Sequence, residues 1–117
     1  MAAKPVVAGV DGSPESIRAV EWAAREAVLR GTTLRIVAAP AMPPRMTPNP
    51  ATDDTVAGMI ERGMARALAT AATAAAEDAP DLAIETQLLS GAPAEALVKS
   101  GNDAMMLVIG SRGAGGP

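Results

Sequence analysis

Four short apolar runs, each followed by turn residues and three of them by a helix-like stripe, constrain this chain more than anything else in it. The runs are Pro5 to Val10, Leu34 to Ala39, Leu82 to Leu89 and Ala104 to Ile109. Runs this short and apolar fit strands covered on both faces. Between them Ile17, Val20, Ala24, Ala27 and Val28 recur at helical spacing, as do Val56, Met59, Ile60, Gly63, Met64, Ala67, Leu68 and Ala71. A shorter helix is expected over Ala94 to Lys99. The order β-α-β-α-β-α-β implies an α/β fold, an open parallel sheet with right-handed crossovers and helices on both faces.

Local signals set the boundaries. Ser13-Pro14-Glu15 offers an N-cap, a proline at the first helical position and an acid in the first turn, and Gly31 stops the same helix. Trp22 falls outside the buried stripe and is expected on the surface, beside Arg18 or Arg25 or, with Leu29, as a contact for another chain. Asp53 and Asp54 suit a helix N-terminus better than a metal site. Pro40, Pro43, Pro44, Pro48 and Pro50 make that stretch a loop, either a connector or a lid. The Leu82 to Leu89 run alternates with Glu85 and Gln87 and belongs near an edge, whereas the more apolar Ala104 to Ile109 run is expected to be central.

Composition narrows the chemistry. The 117 residues suit one domain, with Trp22 as the sole aromatic residue and neither Cys nor His. That removes disulfides, thiolate-histidine zinc sites and imidazole catalysis. A net charge of −3 without a basic cluster argues against nucleic acid and anionic membrane partners. The amino end shows no leader pattern and no apolar run spans a bilayer, so the cytoplasm is the expected location.

In parallel sheets of this kind ligands bind beyond the carboxyl ends of the strands, where strand order reverses. Two glycine-bearing loops follow strands there: Gly9-Val10-Asp11-Gly12-Ser13, and Gly110-Ser111-Arg112-Gly113-Ala114-Gly115-Gly116. Glycine permits positive φ and close backbone approach to a phosphate. The second loop lacks the spacing and lysine of a Walker A motif. Asp11 is either a turn residue bonding its own backbone or a ligand contact, and Ser111 and Arg112 either a bare surface loop or, through the guanidinium fork of Arg112, phosphate partners.

Over nearly its whole length the chain resembles the universal stress protein family. The resemblance rests on Val6-Val-Ala-Gly-Val-Asp-Gly-Ser-Pro-Glu-Ser16, the helix carrying Trp22-Ala23, the Gly91-Ala-Pro-Ala-Glu-Ala96 turn, and Val108-Ile-Gly-Ser-Arg-Gly113. It implies a Rossmann-like fold, similar to the adenine nucleotide α-hydrolases, with strand order 3-2-1-4-5. It also implies that Gly110 and Gly113, with Ser111 and Arg112, form half of a phosphate motif. Asp11 would contact the adenine-ribose region, while Val10, Gly12, Ala38 and Ala39 would wall the base.

The second half of that motif, like the last helix and strand of the family, would lie beyond Pro117, so the chain is expected to be one domain over 1–117, incomplete at its C-terminus. Two functions stay open. One is a stress-response module that binds ATP, with Mg²⁺ on the phosphates, and hydrolyses it slowly or not at all, because no side chain offers a general base. The other is a protein-interaction module that does not bind ATP and works as a homodimer or beside a tandem domain.

Overall fold

The computed structural model describes residues 4–38, 50–89, 99 and 101–110, with the backbone alone over 50–57. Its elements run β1 (Val6–Val10), α1 (Pro14–Arg30), β2 (Leu34–Ala38), α2 (Pro50–Asp78), β3 (Ile84–Leu88) and β4 (Met106–Ile109). Residues 99, 101 and 102 are helical. The remainder of the expected Ala94–Lys99 helix lies outside the described residues, as do the proline-rich stretch from Pro40 to Asn49 and the turn at 91–96.

The strands form one parallel sheet in the order β3-β2-β1-β4. Val6 to Val10 align with Leu34 to Ala38 on one side, and Val6 to Gly9 align with Met106 to Ile109 on the other. Strands β1, β2 and β3 follow one another in one direction across the sheet, so right-handed crossovers place α1 and α2 on the same face. The chain reverses direction across the sheet between β1 and β4, which creates a switch point at their carboxyl ends.

The core lies between that face and the two helices. Val6, Ala8, Val10, Leu34, Ile36 and Ala38 point toward α1 and α2 and meet Val20, Ala23, Ala24, Ala27, Ala67, Leu68, Ala71 and Ala75. Val7 and Val37 point the other way and are also fully buried. Burying one valine or leucine side chain contributes about 1.5–3 kcal/mol. The exposed pairs Arg18–Glu15 and Arg30–Glu26 each belong to a class worth about 0–1 kcal/mol. Apolar burial therefore decides this fold.

Alanine suits the contact between the two helices because its small side chain lets α1 and α2 sit close to each other and to the sheet. Helix α1 starts where the sequence indicates: Ser13 is the N-cap, Pro14 opens the helix, and Gly31 closes it at φ 66° while its N–H and that of Thr32 satisfy the carbonyls of Val28 and Ala27.

Four expectations need correction. Val28 is 54% exposed and Met59 is 60% exposed, since both sit at the margin of their helix's buried stripe rather than on its centre line. The stripe of α2 continues instead to Ala75 and to Ala79 just past the helix end. Helix α2 begins at Pro50, so Asp53 and Asp54 fall inside its first turns and neither is its cap. Strand β4, despite its composition, is an edge of the described sheet with Ile109 54% exposed. Strand β3 is the opposite edge, as its alternation indicates, and every residue from Glu85 to Leu88 is exposed.

Candidate functional site

The carboxyl ends of β1 and β4 carry both glycine-bearing segments to one end of the sheet. Gly9 lies opposite Ile109 in the ladder, so Val10 and Asp11 leave β1 beside the point where Gly110 leaves β4. On the other side of β1, Val10 pairs with Ala38 at the end of β2. Val10, Asp11, Gly12, Ala38 and Gly110 thus share one end of the molecule. Ala39, Ser111, Arg112 and Gly113 lie outside the described residues.

The turn after β1 is tied together by its own side chains. Ser13 N–H donates to Asp11 Oδ1 at 2.8 Å. Ser16 N–H donates to Ser13 Oγ at 3.2 Å. Ser16 Oγ donates to the Ser13 carbonyl at 2.8 Å and accepts from Asp11 N–H at 3.4 Å. Gly12, at the tip, has φ 89°, a conformation that costs an L side chain energy. Among the described residues Ser13 and Ser16 are the buried polar ones, and no buried side-chain polar atom there lacks a partner. A buried hydroxyl needs its bonds made, and here they hold one turn in one shape.

Ser16 was missed by the sequence reading. It occupies the third helical position after the Ser13 cap, where a capping box usually carries Glu or Gln. The signal was the Ser-x-x-Ser spacing, but a hydroxyl at that position reads as an ordinary helix residue until the turn is seen to close on it.

The amide of Ser13 and the N-terminal amide of Ser16 are already used internally, and Asp11 and Glu15 bring negative charge to the same turn. These carboxylates oppose an incoming phosphate, while the N-terminal dipole of α1 favours one. A carboxylate such as Asp11 accepts hydrogen bonds from hydroxyl or amino groups, which suits a sugar or base edge. Gly110 leaves β4 at this same end of the sheet, beside the turn.

Gly110 has a steric requirement of its own. A Cβ built there would lie 2.5 Å from the Glu15 carbonyl oxygen and 2.9 Å from Ser16 Cα, closer than atoms pack. The glycine lets the exit of β4 run directly against the first turn of α1. Its presence is therefore explained by packing between β4 and α1 whether or not an anion binds, and it does not discriminate between the two functions. Among the described residues no three Asp or Glu side chains gather to hold a metal ion, and no helix is long and apolar enough to cross a membrane.

Comparison with known proteins agrees with this architecture. A universal stress protein of Mycobacterium tuberculosis is 32% identical over 115 residues, covering 96% of this chain and 39% of that protein. The chain thus spans about two fifths of that relative's length. A universal stress protein solved in complex with cAMP superimposes with a TM-score of 0.65 at 28% identity, over 92% of this chain and 71% of the other. One from Archaeoglobus fulgidus in complex with dAMP has a TM-score of 0.67 at 23% identity, over 93% and 82%, and at that identity speaks for the fold alone. The universal stress protein family profile matches residues 2–117. With the parallel sheet, the 3-2-1-4 strand order and the Asp11 turn in place, this chain belongs to the universal stress protein family.

Proposed function

We propose that this chain binds an adenine nucleotide at the crevice between the carboxyl ends of β1 and β4, and acts as a binding or regulatory module with slow or no hydrolysis. One observation carries the reading: the self-bonded Asp11-Gly12-Ser13 turn lies beside the exit of β4, where the described sheet reverses its strand order. The relatives of known structure lend support, since one at 28% identity was crystallised with cAMP.

Asp11 would take the ribose hydroxyls, with Val10, Gly12, Ala38 and Ala39 beside the base. Backbone amides of the segment Gly110 to Gly113, with Ser111 and Arg112, would take the phosphates. ATP is the specific nucleotide proposed, with Mg²⁺ riding on the phosphates rather than on a protein carboxylate cluster. The described part of the crevice fits this ligand in two respects: Asp11 is exposed at its mouth, and Gly12 is exposed, without a side chain to block entry. Among the described residues at this end of the sheet no His or Lys is present to serve as a general base, so turnover would be slow.

Equilibrium titration of the purified chain with labelled ATP and with AMP tests the reading. Saturable binding in the micromolar range that weakens on Asp11→Asn is expected. Absence of saturable binding by either nucleotide at millimolar concentration would leave the interaction module as the function.

A further inference from the structure

A second concavity lies at the opposite end of the sheet, where α1 and α2 finish and β2 and β3 begin. It has a volume of about 720 Å³ and is walled by residues 31–33 on one side and 79–83 on the other. Sites for small organic ligands usually fall between about 300 and 1,000 Å³. Its floor is apolar, made largely by Val28, Leu29, Pro80 and Leu82, and Leu29 is 78% exposed. An exposed leucine over an apolar hollow is a surface that gains from being covered.

Within the lining of this hollow Asp78 and Asp81 outnumber the one cation, while Lys4 stands beside it through the bond from Thr32 to its carbonyl. Arg25 is the cation in its lining, and its Nη1 is already held by Asp78 Oδ2 at 3.0 Å. Asp81 also lines the hollow, and among the described residues it forms no ion pair. Both helices point their carboxyl ends here, where the aligned peptide dipoles leave partial negative charge. Helix α1 answers with Arg30, but α2 ends in Glu77 and Asp78 with no basic residue in its last turn. Acids at a helix C-terminus oppose its dipole; Arg25 offsets Asp78, and Asp81 is left for a further cation.

We propose that this hollow binds a small organic cation with an apolar body, its ammonium beside Asp81 and the end of α2 and its hydrocarbon over Val28, Leu29 and Leu82. The site is independent of the nucleotide crevice, which lies across the full length of the strands from it.

The test uses ¹⁵N-labelled full chain titrated with n-hexylammonium, with 1-hexanol and with hexanoate. Hexylammonium is expected to shift the amides of Gly31, Thr32, Asp81 and Leu82 saturably, with hexanol weaker at the same amides and hexanoate weakest. Asp81→Asn, at an exposed position that leaves the fold intact, is expected to weaken hexylammonium by about two- to fivefold, the range of an exposed ion pair, and to leave hexanol unchanged. Hexanoate binding as tightly as hexylammonium would overturn the proposal. So would shifts confined to other residues, no saturable shift with hexylammonium, or an Asp81→Asn variant with unaltered affinity. Saturating AMP is expected to leave the hexylammonium shifts in place, so failure of one site does not imply failure of the other.

Discussion

A methyl group at position 110 would sit 2.5 Å from the Glu15 carbonyl oxygen and 2.8 Å from its carbon, and neither partner is a side chain that can swing away. Gly110→Ala is therefore expected to lower stability by about 1–3 kcal/mol, as overpacking does, measured by urea denaturation without nucleotide. A loss of affinity in that variant would say nothing about phosphate contacts unless stability were measured beside it. Asp11 allows a cleaner separation. An asparagine at position 11 keeps the side-chain oxygen that accepts from Ser13 N–H and removes the charge at the N-terminus of α1, so Asp11→Asn is expected to cost about 1 kcal/mol or less while weakening nucleotide binding. Ser13→Ala removes the N-cap of α1 and is expected to cost about 0.5–2 kcal/mol, again read from denaturation.

Among the elements, the contact between α1 and α2 is the one where side-chain size matters most. Ala23, Ala24, Ala27, Ala71 and Ala75 are fully buried, which leaves no room for a longer chain. Ala27→Leu is expected to destabilise the fold by about 1–3 kcal/mol through forced displacement, although leucine is nearly as good a helix former as alanine. Denaturation of that variant with a circular dichroism probe checks this: an unchanged midpoint would mean that the helices are less closely packed than described here.

The same elements show what could be read from the residues in advance. The ends of α1 were legible because Ser13, Pro14 and Gly31 act locally, through their own backbone geometry and hydrogen bonds. The rank of β4 was legible from the family strand order, with the fifth strand expected beyond Pro117, but not from its own residues. Apolar content reports that a strand is covered but not which neighbour covers it, so Met106 to Ile109 read as central while the described sheet places it at an edge. The role of Gly110 escaped for a related reason. Glycine in a post-strand loop reads as a ligand contact, and only the fold brings Glu15, far away in the sequence, against it. Val28 and Met59 were misplaced because helical periodicity defines the centre of a buried stripe better than its width.

At the scale of the whole molecule the two ends of the sheet have opposite character. The carboxyl ends of β1 and β4 present a polar, internally bonded turn at the switch point, and the amino ends of β2 and β3 present an apolar hollow rimmed by acids. Membership in the universal stress protein family and the strand order both direct attention to the first end. In the function proposed for it, the Asp11 turn takes the sugar and base, and the segment that starts at Gly110 takes the phosphates. The most direct measurement is a ¹⁵N NMR titration of the full chain with AMP, following backbone amides at both ends. Saturable shifts at Asp11, Gly12, Ser13, Ser16 and Gly110, with Thr32, Thr33, Leu82 and Ala83 unmoved, are the expected result. Saturable shifts at the latter group alone, or none at the former up to millimolar AMP, would contradict the assignment of the nucleotide to this crevice.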